Sequence, residues 1–174
     1  MEPLYERFQK QHPPVFEGSI DPLDAQDWKS SLEYIFEFMH LSDREKVSCA
    51  AHTLKNDAKI WWEVVKKTRE VNQMNWIEFE LVFNEKFYNE AVLTAKVTEF
   101  SRLQQGNLSV AEYARTFNRL ANFAPYMVNT ETSKVNRFLE VLQQELARDV
   151  DMGRTGPLSY VQVVEKALRA EHRE

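Results

Sequence analysis

The sequence predicts an all-α fold of about eight amphipathic helices with short connections. Only 10 of the 174 residues are Gly or Pro, about half of the usual share, and this excludes turn-dense all-β architectures. The stretch from Leu23 to Gln105 contains neither residue. Apolar residues recur at helical spacing through most of the chain, and no alternating strand pattern of useful length competes.

The N-terminal segment precedes the first predicted helix. Residues 1–14 end in a pair of prolines, which favour extended backbone, and we expect a flexible lead-in there. In the segment that follows, Gly18 and Pro22 mark turns. Phe16 and Ile20 are apolar enough to hold this segment against a core, so it is predicted to be an anchored loop.

Four helices are predicted within residues 15–90. The first has Asp24 as its cap, and the third begins near Asn56. Capping boxes, in which two side chains satisfy orphaned backbone N–H groups, open the second and fourth. They are Ser42 with Glu45 and Asn75 with Glu78. The residues predicted to face the core are Trp28, Leu32, Ile35, Phe36, Met39, Val47, Ala50, Ala51, Leu54, Ala58, Trp61, Val64, Val65, Trp76, Phe79, Phe83 and Phe87.

Four more helices are predicted within residues 91–174. The first covers 91–105 and stops at a left-handed Gly106. The second begins at a capping box of Ser109 and Glu112 and ends near Pro125. The third is one continuous helix over 131–149. After a turn over 153–157, Ser159 and Gln162 cap the last. The apolar residues of these helices include Val97, Phe100, Leu103, Tyr113, Phe117, Leu120, Ala121, Val135, Phe138, Leu139, Leu142, Leu146, Val164, Ala167 and Leu168.

Charge and composition exclude several classes of protein. The formal net charge is −5, whereas a domain that holds nucleic acid by its phosphates normally has a net basic face. No apolar run approaches the length of about 20 residues that a membrane-spanning helix needs, so we expect no membrane partner. The one cysteine, Cys49, cannot form an internal disulfide, which fits a reducing compartment. We therefore expect a cytoplasmic protein.

Residue patterns that would support catalysis or metal binding are weak. Cys49 and His52 have C-x-x-H spacing, but no second Cys or His pair offers the remaining ligands of a metal site. Neighbouring carboxylates, such as Glu33 with Glu37, are typical of a solvated helix face. The serine-hydrolase, Walker and zinc-protease motifs are absent. We therefore predict no enzyme activity, no cofactor and no metal.

The adjacent pair Trp61 and Trp62 has two interpretations. Neighbouring helical residues point about 100° apart, so both rings are buried only if a wide arc of the helix is covered. In the first interpretation both indoles pack in the core. In the second, one ring lines a groove that holds a peptide partner.

An ordered series of motifs resembles the Gag capsid region of gypsy-type long-terminal-repeat retrotransposons, particularly those of plants. The resemblance runs from about Phe16 to Leu168. The motifs that carry it are Phe16-x-Gly18, Asp21-Pro22, Trp28, Leu54 with Ala58, Trp61-Trp62, Trp76-x-x-Phe79, Phe83-x-x-x-Phe87 and Gln105-Gly106-Asn107-Leu108-Ser109-Val110-x-Glu112-Tyr113-x-x-x-Phe117.

The resemblance implies an all-α capsid protein of two small helical lobes that assembles into shells around the element's RNA. The N-terminal lobe would cover residues 15–90 and the C-terminal lobe residues 91–174. The segment from Gln105 to Phe117 is similar to a loose form of the retroviral major homology region, which lies in the C-terminal lobe. The residues implied as core or assembly positions are Phe16, Gly18, Trp28, Trp61, Trp62, Trp76, Phe79, Gln105, Gly106, Glu112, Tyr113 and Phe117.

Motifs absent from the sequence narrow this expectation. A zinc knuckle needs several Cys and one His at close spacing, and Cys49 stands alone. We therefore expect contacts with the element's RNA to come from a region beyond residue 174. Protease and reverse-transcriptase signatures are absent too, so the sequence predicts the structural portion only.

Three hypotheses remain at the level of sequence. The first is a self-assembling capsid protein, which associates with copies of itself through its lobes. The second is a host-domesticated copy that acts as a protein-interaction module, with a groove beside Trp61 or Trp62 for a peptide. An intact downstream protease and polymerase frame would favour the first over the second. The third is an enzyme without a recognisable motif.

Overall fold

The computed structural model describes residues 2–152 and 156–173. Its described part contains ten α-helices and one short 3-10 helix, and the all-α prediction is confirmed. The helices are α1 (Leu4–Gln9), α2 (Pro22–Met39), α3 (Asp43–His52), α4 (Asn56–Thr68), α5 (Trp76–Phe87), α6 (Glu90–Ser101), α7 (Val110–Ala121), α8 (Glu131–Glu140), α9 (Gln144–Asp151) and α10 (Tyr160–His172), with the 3-10 helix at Pro125–Met127.

The chain separates into two compact units, the first ending at Val92 and the second beginning at Leu93. Each unit has its own hydrophobic core. The first core is rich in aromatic rings from α2, α4 and α5. The second is built around α7, with side chains from α6 and from α8 to α10. All four tryptophans lie in the first unit.

Side-chain caps set many of the helix boundaries. The capping boxes predicted at Ser42, Asn75, Ser109 and Ser159 are all present, each with both of its reciprocal hydrogen bonds. The α2 helix ends differently, because His40 adopts a left-handed conformation with φ 55°. A glycine usually occupies such a position, and the sequence has none in this stretch.

The predicted lead-in is wrong for part of its length. Residues Leu4–Gln9 form α1, and Phe8 within it is fully buried in the first core, where its ring lies 6.1 Å from that of Phe36. Leu4 packs against the same core, and the Tyr5 ring lies 4.7 Å from that of His52. Burial of apolar surface at several positions therefore favours an ordered helix in this segment. The proline pair follows this helix and does not prevent it.

Two details of the following segment also differ from the prediction. Ile20 is 95 % exposed, and Phe16 alone holds the segment against the core. The cap of α2 is Asp21, whose carboxylate accepts from the Leu23 N–H at 3.0 Å. The helix therefore begins at Pro22 and not after Asp24, in agreement with the preference of proline for the first helical turn.

The α4 helix is rotated relative to the predicted inward face. Trp62 is buried, Trp61 is half-buried, and Val64 is 55 % exposed. Ala58, Trp62 and Val65 define the buried stripe. The prediction of Val64 as a core residue is wrong because the apolar residues of α4 cover more of its circumference than one core can bury.

Two predicted boundaries in the second unit are wrong. The α6 helix ends at Ser101, so Gly106 is not its stop, although Gly106 is left-handed with φ 53°. The predicted helix over 131–149 is interrupted, since α8 ends at Glu140 and α9 begins at Gln144. The predicted turn over 153–157 falls largely outside the described residues.

Candidate functional site

The residues singled out in the sequence occupy two places, one in each unit. Those of the first unit form an aromatic cluster and its attachment to the loop before α2. Those of the second unit lie along the turn and helix that begin at Gln105. We describe these two places first, and then an open groove in the first unit.

Phe16 attaches the N-terminal loop to the end of α3. Its N–H donates to the Thr53 carbonyl at 3.0 Å, and its own carbonyl accepts from the Lys55 N–H at 2.9 Å. These bonds form an isolated parallel bridge between Phe16 and Leu54. The Phe16 ring packs 5.5 Å from the Trp28 ring. The loop is therefore held by backbone bonds and by an aromatic contact together.

Gly18 lies where the loop passes close to the start of α4. Its φ is +97°, and a Cβ at this position would lie 3.0 Å from both the Ala58 nitrogen and the Asp57 Cβ. A side chain is therefore excluded both by the backbone conformation and by the close approach of the helix. This geometry explains the glycine in the Phe16-x-Gly18 motif.

Trp28 is the centre of the aromatic cluster. Its ring lies 4.9 Å from that of Phe83, and its indole N–H donates to the Thr53 hydroxyl at 2.9 Å. That hydroxyl donates in turn to the Ala50 carbonyl at 2.8 Å. The indole N–H of Trp28 and the hydroxyl of Thr53 thus each have a hydrogen-bond partner, as burial requires. Sequence reasoning did not identify Thr53, whose partner lies 25 residues away.

The tryptophan pair on α4 has one buried and one half-buried member. Trp62 packs edge-on against Phe79, with 5.4 Å between the ring centroids. Trp61 contacts Phe87 at 5.2 Å. Trp76 stacks on Phe79 at 5.1 Å. Both indoles of the pair therefore contact the core, and Trp62 in addition lines the open groove described below.

The C-terminal unit is organised by the side chain of Gln105, which is 2 % exposed. Its Oε1 accepts from the Gln143 N–H at 3.0 Å, and its Nε2 donates to the Leu108 carbonyl at 2.9 Å. Its backbone N–H donates to the Val141 carbonyl at 3.1 Å. Gln105 therefore connects the turn before α7 to the break between α8 and α9.

The turn that follows Gln105 is held from two further directions. The Gln143 side chain donates to the Gly106 carbonyl at 2.7 Å. At the start of α7, the Val110 N–H donates to the Glu171 carboxylate at 2.8 Å. Glu112 completes the capping box with Ser109. A carboxylate near a helix N-terminus also interacts favourably with the helix dipole.

Tyr113 and Phe117 place the same helix in the second core. The Tyr113 hydroxyl donates to the Phe138 carbonyl at 2.9 Å, and burial raises its pKa above the ordinary range. The Phe117 ring lies 5.1 Å from Phe100 and stacks on Tyr160 at 5.6 Å. The segment from Gln105 to Phe117 thus contacts α6, α8, α10 and the residues between α8 and α9.

An open groove of the first unit lies between α3 and α4 and has a volume of about 690 Å³. We call it the α3–α4 groove. It has an apolar floor and a mostly basic rim. The floor consists of Val47, Ala51, Leu54, Trp62, Val71 and Met74, and the charged rim residues are Arg44, Lys55, Lys59, Lys66 and Glu63. Lys66 is paired with Glu63 at 3.1 Å, so the excess of positive charge comes from the other three.

The C-x-x-H pair does not form a shared site in the structure. Cys49 is buried, and burial raises the pKa of its thiol to about 11. His52 is exposed, and its ring lies 4.7 Å from that of Tyr5. Within residues 2–152 and 156–173, no three His, Cys, Asp or Glu side chains lie close enough together to hold a metal ion.

The basic residues at the end of α4 form local pairs. Lys66 is paired within its own helix, and an Arg69 guanidinium nitrogen lies 3.5 Å from a Glu85 carboxylate oxygen. None of the helices in the described part is both long and apolar enough to cross a bilayer.

Comparison with known proteins places these features in context. A search of curated protein sequences found no match. The chain is similar to a solved structure described as a dARC1 capsid domain dimer, with 16 % identity and a TM-score of 0.40 over 92 % of this chain and 96 % of that one. Residues 10–88 match the family model described as the N-terminal capsid-like domain of the retrotransposon-derived protein PEG10. This match confirms the predicted resemblance to a retrotransposon Gag capsid region.

Proposed function

We propose that this chain is the structural subunit of a retrotransposon capsid, which assembles with copies of itself into a shell that packages the element's RNA. The observation that carries the proposal is the match of residues 10–88 to a retrotransposon-derived capsid-like domain. The two compact units support it, because each offers separate surfaces for contact with other copies.

Exposed apolar side chains on the first unit also support self-association. Three helices each have a pair of large apolar residues one turn apart, and every one of these residues is more than half exposed. The pairs are Tyr34 with Phe38 on α2, Ile60 with Val64 on α4, and Ile77 with Leu81 on α5. Exposed apolar surface of this kind is typical of protein–protein contacts.

Assembly of a shell does not require any strong single contact. A free energy of about 1.4 kcal/mol changes an affinity only tenfold. In a closed shell each subunit makes several contacts at once, and the effective concentration of neighbours multiplies their effect. Subunits with a net charge of −5 repel one another, so screening by salt reduces this barrier to assembly.

Light scattering and negative-stain electron microscopy test the proposal. We expect the scattering mass of the chain to rise with protein concentration and with ionic strength, and closed particles to appear in the images. A chain that stays monomeric at high concentration and high salt contradicts self-assembly. The same series in a denaturant concentration that unfolds both units controls for nonspecific aggregation.

The RNA part of the proposal has its own test. Particles formed in cells that express the element should contain RNA that survives ribonuclease treatment and becomes sensitive after the particles are dissolved. Intact particles without protected RNA would contradict packaging and leave assembly standing. We also propose a cytoplasmic location, which the single, free and buried thiol of Cys49 supports, and which fluorescence microscopy of the tagged chain tests.

A further inference from the structure

We propose that the α3–α4 groove of one subunit binds an outer stripe of α2 from a second copy of this chain, in a head-to-tail contact. This inference rests on the proposed function, since it names the surfaces through which self-association occurs. The stripe consists of Asp27, Ser31, Tyr34 and Phe38, and we call it the α2 stripe. The groove and the stripe share no residue.

The α3–α4 groove has the chemistry of a site for an acidic, aromatic segment. Its floor is apolar, and the buried Trp62 ring forms part of it. On its rim, Lys55 and Lys59 are exposed and have no ion-pair partner in the described part of the chain. Arg44 lies on the opposite side, on α3. Unpaired cations around an apolar floor select a partner that has both carboxylates and apolar side chains.

The α2 stripe has the complementary chemistry. Its four residues follow one another at spacings of four, three and four, so they lie on one face of the helix. Tyr34 is 79 % exposed and Phe38 is 68 % exposed. Asp27 is exposed and has no ion-pair partner among residues 2–152 and 156–173, and Glu37 is exposed beside the stripe. Lys29 is the sole basic residue of α2, and it pairs with Glu80 at 3.4 Å. The exposed charge of α2 is therefore negative.

Charge complementarity favours a second copy as the occupant. The whole chain is acidic, with a net charge of −5, yet the unpaired charges on the groove rim are positive. The groove is therefore attracted to acidic surfaces, and the chain itself offers one that also has two exposed aromatic rings. Complementary charges of this kind fix the register of a contact and suppress wrong pairings.

The geometry of such a contact leads to rings or open chains of subunits. Because the groove and the stripe are different patches, each subunit uses one patch to bind one neighbour and the other patch to bind another. A contact of this type is heterologous, and it closes into a ring when the rotation between neighbours allows closure. This is the arrangement from which a shell can be built.

RNA is the other macromolecule that a basic rim could attract. The phosphate groups of RNA could form ion pairs with Lys55, Lys59 and Arg44. The apolar floor of the groove, however, offers no favourable contact to a phosphate. Proteins that bind single strands use exposed aromatic rings as stacking platforms, whereas Trp62 is buried and only 5 % exposed. We therefore infer a protein segment and keep RNA as an outcome of the test.

The first experiment measures self-association of the full chain by sedimentation velocity at fixed ionic strength. Lys59→Glu alters the groove and Asp27→Lys alters the α2 stripe. Each should raise the dissociation constant of self-association on the order of tenfold, because each replaces an attraction with a repulsion. Phe38→Ala should weaken it at least as much. Lys86→Glu, an exposed reversal on α5, is the matched control and should have no effect.

The decisive experiment mixes the two charge-reversed variants. In the mixture, the native groove of the Asp27→Lys chain meets the native stripe of the Lys59→Glu chain, and the two altered surfaces meet with their charges exchanged. Association should therefore recover in the one-to-one mixture, although each variant alone self-associates weakly. Circular dichroism of each variant checks that its helices are intact.

Each outcome decides one point. If the wild type associates and the groove and stripe variants associate equally well, this inference is wrong and the proposed function stands. If the mixture does not recover, the two surfaces are not partners. If Lys59→Glu abolishes binding of a fluorescent single-stranded RNA and leaves self-association unchanged, the groove binds RNA. If the wild type never associates, both proposals fail.

Discussion

The Oε1 atom of Gln105 accepts a hydrogen bond of 3.0 Å from the backbone N–H of Gln143, which lies 38 residues later in the chain. This bond joins the turn before α7 to the residues between α8 and α9. It also satisfies a backbone group that the interruption of the helix would otherwise leave without a partner. One buried side chain therefore holds the break between α8 and α9 against the turn before α7.

Replacement of Gln105 by Leu should destabilise the second unit selectively. The change leaves the Gln143 N–H and the Leu108 carbonyl without partners, and we expect a loss of about 2–4 kcal/mol in the free energy of unfolding. Far-UV circular dichroism in urea should show it. Tryptophan fluorescence, which reports on the first unit alone, should keep its midpoint. Gln104→Leu, at the exposed neighbouring position, is the control, and an equal loss there would contradict the role of Gln105.

The two tryptophans of α4 should differ in their contribution to stability. Trp62→Ala removes a buried ring that packs on Phe79, and we expect a loss of about 3–5 kcal/mol. Trp61→Ala removes a half-buried ring and should cost clearly less. Urea unfolding followed by fluorescence of the three remaining tryptophans measures both. If Trp62→Ala left the unfolding midpoint unchanged, its ring would belong to a binding surface and not to the core.

Gly18 and Gly106 form a matched pair for substitution by Ala. Both have positive φ, but a Cβ at Gly18 would lie 3.0 Å from atoms of α4, whereas a Cβ at Gly106 has nothing within 4 Å. We expect Gly106→Ala to cost about 1–2 kcal/mol, the price of the left-handed conformation alone, and Gly18→Ala to cost more. Thermal unfolding checks the order, and equal losses would show that the loop at Gly18 relaxes away from α4.

The thiol of Cys49 should be unreactive in the folded chain. Burial raises its pKa from 9.0 to about 11, so the thiolate is scarce at pH 8 and is also screened from reagents. Labelling with a thiol reagent should be slow in buffer and should reach one equivalent in denaturant. The raised pKa means that the folded chain holds the thiol proton more tightly than the unfolded chain. The contribution of Cys49 to the free energy of unfolding is therefore full below pH 9 and is lost as the pH rises through 11. Rapid labelling at pH 8 in buffer would contradict burial of this thiol.

Much of the local structure follows from the sequence alone. The capping boxes at Ser42, Asn75, Ser109 and Ser159 were predictable because both partners lie within four residues of each other. The apolar period of α5 and α7 was predictable for a similar reason, since their buried stripes are regular. In α4 the same reasoning failed, because its apolar residues surround too much of the helix to single out one face.

The functional site was partly accessible to the same reasoning. The motifs around Phe16 and Gln105 could be recognised from the order of their residues. The family match over residues 10–88 includes the Phe16 motif, and the motif around Gln105 stays a prediction. The basic rim of the α3–α4 groove was missed, although Lys55 and Lys59 lie one helical turn apart. The basic rim could not be predicted from these two lysines alone, because it also includes Arg44, which α3 places on the opposite side of the same groove.

The sequence by itself determined the helical class, the positions of the capped helix starts and the segments that carry the family motifs. These depend on contacts between residues that are close in the chain. Only the tertiary structure decided that Phe8 is buried, that Gln105 accepts from the backbone at the break between α8 and α9, and that Thr53 satisfies the indole of Trp28. Each of these features depends on a contact with a residue more than 20 positions away, and a local sequence pattern does not indicate which distant residue will make that contact.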